Sequence, residues 1–459
     1  MERYDAVIIG FGKGGKTLAG KLAAAGKTVA VIERSDRMYG GTCINVGCIP
    51  SKSLVKNAKQ AAHNPEWSFE EKAAFYAAAI EEKRGLTTAL RKKNFDKLND
   101  MNNVDIYNGQ ARFLSADTVE VSTAEETLVL EGDKIFINTG AEPVIPPIEG
   151  LKDNSRVYFS ETMLDLETLP RRMAIIGGGY IGMEFASIYS GFGSQVTVFQ
   201  DGGVFLPKED EDMAAEIRGV LEEKGVNFRL GAEVEKFEDG PEVSRIVYRW
   251  KGESLELEAD AILVATGRRP NTEGLNAEAA GVELTPRGAV KVDDNRKTTA
   301  ENIWAMGDVA GGLQFTYVSL DDFRIVWSQL CEGCSSGKPN YTADQRRNVP
   351  YSVFLEPSFS RVGLNEREAR AAGYHVRIAK LPAAAIPKAQ VLKQPRGLLK
   401  AVIDQETGRI LGAMLFCEES HEMINIVKLA MDLDVHYTVL RDQIFTHPTM
   451  SEALNDLFS

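Results

Sequence analysis

Short, wholly apolar runs closed by glycine set the rhythm of this chain. Ala6-Val7-Ile8-Ile9 leads into Gly10-Phe11-Gly12-Lys13-Gly14-Gly15, then a helical pattern to about Ala25, then Val29-Ala30-Val31-Ile32 closed by Glu33. An unbroken apolar run of this length predicts a strand buried on both faces, and strand, helix, strand predicts a βαβ unit. The order recurs: Met173-Ala174-Ile175-Ile176, Gly177-Gly178-Gly179-Tyr180-Ile181-Gly182, a helix to about Phe192, and Val196-Thr197-Val198-Phe199 closed by Gln200. Lys134–Ile137 ending in Asn138-Thr139-Gly140, and Ala261–Val264 ending in Ala265-Thr266-Gly267, predict two further buried strands whose turns carry the chain between domains. The prolines from Pro143 to Pro147 mark a linker at the first crossing. The polar stretch from Glu70 to Asp100 predicts a solvated helix, and Asp105–Tyr107 and Val119–Val121 short strands. After Pro339 the glycine fingerprints stop, which predicts a third domain from Tyr341 to Ser459.

Each fingerprint has a chemical reading. Gly10, Gly12 and Gly15 allow a tight turn, approach of a pyrophosphate to backbone N–H groups, and close helix packing; Glu33 is placed to accept from ribose hydroxyls. Gly177, Gly179, Gly182 and Gln200 repeat the arrangement, so two dinucleotides and electron transfer between them are expected; duplication without ligands is the alternative. Ile303–Met306 running into Gly307-Asp308 puts an acid at a strand's carboxyl end, either for cofactor hydroxyls or as a turn residue.

The 459 residues predict roughly two to four domains. With 44% hydrophobic and 26% charged residues the chain is expected to be globular, and its net charge of -13 argues against nucleic acid or an anionic membrane as partner. The apolar run ending at Gly10 is too short for a signal peptide, no run approaches a membrane span, and five cysteines fit a reducing cytoplasm.

In that compartment Cys43 and Cys48 stand out, in Gly40-Gly41-Thr42-Cys43-Ile44-Asn45-Val46-Gly47-Cys48-Ile49-Pro50-Ser51-Lys52. Pro50 predicts a helix opening there, with the cysteines just ahead of its positive end and their thiolates stabilised; two small buried hydrophobes are the alternative. Cys331 and Cys334 form a C-x-x-C without further ligands nearby and read as surface-helix cysteines, Cys417 as a buried strand residue, and His421 as a helix-start residue rather than a copper ligand. No metal site is expected.

Taken in order, the first fingerprint, Cys43 to Lys52, the second fingerprint, Gly307-Asp308, and His447 with Glu452 resemble the pyridine-nucleotide disulfide oxidoreductases, the flavoproteins that include glutathione reductase, dihydrolipoyl dehydrogenase and mercuric reductase. The resemblance implies an α/β fold with two Rossmann-like domains and a C-terminal α+β dimerisation domain: FAD on 1–143 and 268–338, NAD(P)H on 144–267, dimerisation on 341–459. FAD contacts are implied for Gly10, Gly12, Gly15, Glu33, Thr42, Lys52, Thr139, Gly140, Asp308 and Thr316, and nucleotide contacts for Gly177, Gly179, Tyr180, Gly182, Gln200 and Gly267. Tyr180 matches the tyrosine that swings aside for nicotinamide, a packed aromatic being the alternative. Cys48 is implied to face the flavin and Cys43 the substrate, Lys52 to pair with Glu184, and His447 with Glu452 to supply acid and base from the second subunit of a homodimer.

Gly10–Leu18, Gly311–Tyr317 with Asp321-Asp322, and Gln443–Pro448 are most similar to the bacterial reactive-chlorine-resistance flavoproteins. That implies reduction of hypothiocyanous acid or a related oxidant, with copper(II) as a further acceptor. Mercuric reductase is disfavoured because the chain ends in Asn455–Ser459 without a cysteine pair, and glutathione because Gly20 and Lys13 replace that enzyme's arginine and serine. Dihydrolipoyl dehydrogenase is the competing activity, and a redox-sensing flavoprotein without turnover the competing class. Gln200, Asp201 and the lack of an arginine between Gln200 and Pro207 favour NADH over NADPH.

Overall fold

The computed structural model describes residues 2–330 and 340–459. The chain forms two compact units, Met1–Ser53 with Ile80–Val144 and Gly267–Arg346, and Leu54–Ala79 with Ile145–Thr266 and Arg347–Ser459.

In the first unit, strands Val104–Asn108, Val29–Glu33, Glu2–Ile9, Thr127–Ile137 and Ile303–Ala305 run parallel side by side. Thr118–Ser122 and Gln110–Phe113 extend the sheet antiparallel. The apolar runs are here: Val7, Ile8, Val29, Val31, Ile135, Phe136 and Ile137 are fully buried, as strands covered on both faces must be. Helix Lys13–Ala24 makes the crossover from the first strand to the second, burying Leu18, Ala19 and Leu22.

The second unit repeats the design with parallel strands in the order Asn227–Leu230, Gln195–Gln200, Arg172–Ile176, Ala261–Val264 and Val157–Phe159, and helix Tyr180–Gly191 as crossover. It also holds an antiparallel sheet of Glu233–Asp239, Ser244–Trp250 and Glu253–Ala259, and a second one ordered Tyr351–Val353, Phe359–Gly363, Ile410–Phe416, Leu398–Asp404 and Val376–Pro382. Helix Ser420–Asp432 covers this last sheet, with Met423, Ile424 and Val427 in a core shared with Leu399, Ala413 and Leu415. Among the described residues no helix is long and apolar enough to cross a membrane.

The linker expected at Pro143 is part strand: Ala141–Pro143 pairs with Arg268–Pro270, and the chain leaves the first unit after Val144 and returns at Gly267. The helix expected from Glu70 runs Phe69–Asn99, and it is more than a solvated face. Its Arg91 donates to Asn45 in the cysteine loop and its Asn94 accepts from Lys16, contacts that a polar sequence does not reveal.

Candidate active site

The two glycine turns are built alike. Gly10 has φ +104°, and a Cβ there would lie 2.3 Å from Asn138 O; Gly177 has φ +114°, and a Cβ there would lie 2.4 Å from Ala265 O. Side chains are thus excluded both by backbone conformation and by the adjacent strand. Gly15 and Gly182 sit under the same turns, where a Cβ would meet Gly10 O at 2.7 Å and Gly177 O at 2.1 Å.

Helices Lys13–Ala24 and Tyr180–Gly191 begin at Gly12 and Gly179 without a side-chain cap. Their N-terminal N–H groups and positive dipole ends suit a pyrophosphate. Glu33 accepts from Phe11 N at 2.9 Å and Ser35 N at 3.3 Å, and burial raises its carboxyl above the usual range against those bonds. Gln200 donates to Val204 O at 2.7 Å while its buried Oε1 has no partner and faces Gly178. An orphaned acceptor at the second turn fits a nucleotide hydroxyl. Both turns therefore fit the dinucleotides expected of them.

Asn138, at the end of a predicted strand, ties the first turn together. Its Oδ1 accepts from Gly15 N at 2.9 Å, and its Nδ2 donates to Met306 O at 2.6 Å and to Ser319 Oγ at 3.3 Å. Thr139 Oγ1 donates to Asn271 O at 2.7 Å, and Gly140 O accepts from Asn271 N at 2.9 Å. Asp308 lies in the turn Gly307–Ala310, its carboxyl raised by burial, against which the Arg268 charge acts.

The cysteine loop differs in detail from expectation. Cys43 lies in a four-residue helix, Thr42–Asn45, and Cys48 is itself the first residue of helix Cys48–Ala62, so Pro50 is the third residue rather than the opening one. Proline costs nothing there, since none of the first four N–H groups has an intrahelical acceptor. Gly41 packs on Gly12, where a Cβ would come within 2.8 Å of the Gly12 Cα, which brings this loop onto the first glycine turn.

The Cys43 thiol is raised well above its ordinary value by its hydrogen bond to Cys48, by burial and by the Cys48 charge; Thr316 and Lys16 act the other way. The expected thiolate stabilisation therefore serves one sulfur of the pair at a time, because a charge on one opposes a charge on the other. Thr316 Oγ1 lies 3.6 Å from Cys48 Sγ. Asn45, inside the loop, donates to Tyr39 O and Gly41 O at 3.0 Å and accepts from Arg91 Nε at 2.9 Å. Lys16 Nζ donates to Asn94 Oδ1 at 2.5 Å, and burial and the charge of Lys13 push its amine down to about 8.

Lys52, four residues after Cys48, donates to Ser51 Oγ at 3.3 Å. Glu184, in the second unit, accepts from Phe354 N at 2.9 Å. In the same unit His447 Nδ1 and Glu452 Oε2 are 2.8 Å apart, and Glu452 Oε1 accepts from Thr449 N. The carboxylate fixes Nδ1 as the protonated nitrogen and leaves Nε2 of an exposed imidazole for proton exchange. Tyr180 donates to buried Glu209 at 2.5 Å, and burial and the Glu209 charge raise its phenol above the ordinary range.

Cys417 is buried, its thiol raised by burial, and His421 stands at a helix start with Nδ1 3.0 Å from Ser358 Oγ. No cluster of metal-binding side chains occurs among the described residues; Cys331 and Cys334 lie outside them.

The family model for pyridine nucleotide-disulphide oxidoreductases matches residues 4–322, and the model for the dimerisation domain of that family matches 349–458. The chain belongs to this family of FAD-dependent enzymes that use pyridine nucleotides. It is 50% identical over 459 residues to the probable pyridine nucleotide-disulfide oxidoreductase RclA of Escherichia coli (strain K12), covering 100% of this chain and 99% of that one. A solved structure of RclA, the Cu(II) complex of the HOCl-induced flavoprotein disulfide reductase from Escherichia coli, superposes with a TM-score of 0.93 over 100% of this chain and 99% of that one, at 50% identity. More distant are mercuric reductase of Lysinibacillus sphaericus, 34% identical over 99% of this chain and 82% of that one, and dihydrolipoyl dehydrogenase of Geobacillus stearothermophilus, 31% identical over 98% and 94%. This chain is accordingly an RclA-like flavoprotein disulfide reductase by relationship.

Proposed function

We propose that this protein is an NADH-dependent reductase of hypothiocyanous acid acting in oxidative-stress defence in the cytoplasm. The observation that carries the reading is the Cys43 and Cys48 pair, hydrogen-bonded to each other beside Thr316, in a chain that matches RclA from end to end. FAD, when bound, passes two electrons from the nicotinamide to this pair. Residues 1–143 and 268–338 are assigned to FAD, 144–267 to the nucleotide and 341–459 to dimerisation.

The reduced pair then does the chemistry. The Cys43 thiolate attacks the electrophilic sulfur of hypothiocyanous acid, forming a Cys43–S–SCN bond and breaking the S–O bond. His447, from the second subunit of a homodimer, protonates the departing hydroxide to water, and Glu452 holds its ring in orientation. The Cys48 thiolate next attacks Cys43 Sγ, closing the disulfide and expelling thiocyanate. Two thiols are oxidised and one oxidant is reduced, so one NADH serves each cycle. Lys52 is assigned to hold negative charge at the redox centre, with Glu184 as the carboxylate counterpart that the family resemblance implies. Tyr180 is assigned as the gate that moves for nicotinamide. The unsatisfied acceptor oxygen of Gln200 and the lack of an arginine between Gln200 and Pro207 support NADH.

The test is NADH and NADPH consumption by the purified dimer with hypothiocyanous acid, lipoamide, oxidised glutathione and copper(II) in parallel. Stimulation by hypothiocyanous acid, lost in Cys43→Ser, is expected. Unchanged consumption with that oxidant refutes the substrate assignment, and lipoamide turnover in its place makes the enzyme a dihydrolipoyl dehydrogenase.

A further inference from the structure

Glu209 is a carboxylate with no solvent exposure in the second unit, and three side chains converge on it. Tyr180 donates to Oε1 at 2.5 Å and Tyr351 donates to the same oxygen at 2.6 Å. Arg361, itself buried, reaches Oε2 at 3.2 Å and also donates to Lys208 O at 3.0 Å. The two phenol rings lie 5.4 Å apart at 34°, their oxygens 3.1 Å from each other. Tyr180 opens its helix directly behind the second glycine turn, whereas Tyr351, Arg361 and Glu209 come from three other places in the sequence.

We propose that Glu209 is the latch that holds Tyr180 in its resting position, and that Tyr351 is the second donor that keeps this carboxylate satisfied when Tyr180 swings away. The proposal rests on the reading of Tyr180 as the nicotinamide gate. A hydrogen bond to a buried charge is among the stronger side-chain interactions, so breaking it sets the threshold for gate opening. Baring a buried carboxylate oxygen altogether would cost far more, and two phenols on one oxygen avoid that. Arg361 fixes the carboxylate from the other side, so that the latch stays while the gate moves. Glu209 and Tyr351 are positioning residues: neither needs to touch the nucleotide.

The two hydroxyls therefore have opposite effects, which a merely structural cluster would not show. Equilibrium binding of NAD+ to the oxidised holoenzyme is measured by calorimetry against ADP-ribose, which lacks nicotinamide and needs no open gate; the 2′-phosphorylated pair is run alongside. Tyr180→Phe frees the ring from Glu209 and is expected to tighten NAD+ by about tenfold while leaving ADP-ribose unchanged. Tyr351→Phe is expected to weaken NAD+ by roughly three- to tenfold, again without effect on ADP-ribose. Tyr180→Ala removes the gate itself. If Tyr180→Ala alters the ratio of NAD+ to ADP-ribose affinity but both phenylalanine variants leave it unchanged, the latch is overturned and the gate stands. If Tyr180→Ala also leaves the ratio unchanged, the gate reading fails and the latch with it. Circular dichroism of each variant confirms the fold, since each phenylalanine variant loses a single hydroxyl.

Discussion

Replacing Asn138 with alanine tests how the first dinucleotide turn is held. The side chain is buried and makes three hydrogen bonds, to Gly15 N, Met306 O and Ser319 Oγ. Ser319 Oγ keeps its bond from Gly14 N at 3.2 Å, so the loss falls on the Gly15 N–H and the Met306 carbonyl. Each buried polar group left without a partner costs roughly 1–3 kcal/mol, and the two together about 3 kcal/mol. For a folding unit of this size that is a fall in Tm of roughly 6–12 °C. Because Gly15 stands on the turn assigned to the pyrophosphate, the same change should release FAD at lower temperature. A thermal ramp of the holoenzyme, following flavin fluorescence and circular dichroism together, reads both effects. Asn138→Asp keeps the acceptor for Gly15 but sets a carboxylate against the Met306 carbonyl, and should be at least as damaging. An Asn138→Ala enzyme that melts within about 2 °C of the parent with its full flavin content would refute this account of the turn.

Two more outcomes are expected. The Lys16 ammonium favours the Cys43 thiolate, and because its amine is pushed down to about 8 the help is present below that pH and lost above it. In the pre-reduced enzyme Lys16→Met should therefore slow iodoacetamide labelling of Cys43 at pH 7 by about three- to tenfold, with Lys16→Arg restoring it, and equal rates in all three proteins would sink the idea. His447→Gln should lower oxidant turnover by about a hundredfold while NADH still bleaches the flavin at the parental rate, and full turnover in that variant would remove His447 from proton delivery.

Much of the frame was legible from local rules. The runs at Ala6–Ile9, Val29–Ile32, Met173–Ile176 and Ala261–Val264 are strands, as short apolar, largely β-branched runs bounded by turns suit a strand covered on both faces. Gly10 and Gly177 mark the turns because only glycine takes their backbone angles beside a neighbouring strand. Glu33 and Gln200 were visible because each stands at a fixed interval from its glycine turn in one βαβ unit, whereas the roles of the two cysteines and of His447 with Glu452 came from the family resemblance. The helix begins at Cys48, two residues ahead of Pro50, since proline is tolerated anywhere in the first turn.

The groups that hold these parts in place obey no local rule. Asn138 meets Gly15 across 123 residues, Arg91 meets Asn45 across 46, Lys16 meets Asn94 across 78, and Tyr351 meets Glu209 across 142. A polar residue far away in sequence carries no periodicity, and nothing in the polar pattern of the helix Phe69–Asn99 shows that Arg91 meets Asn45 of the cysteine loop or that Asn94 meets Lys16. The sequence by itself determined the two dinucleotide folds and singled out the Cys43 and Cys48 pair as a candidate, because backbone sterics and burial act over a few residues. The tertiary structure alone decided what steadies the turn, what charge faces Cys43 and what restrains Tyr180, because hydrogen bonds between buried groups depend only on where the folded chain brings them.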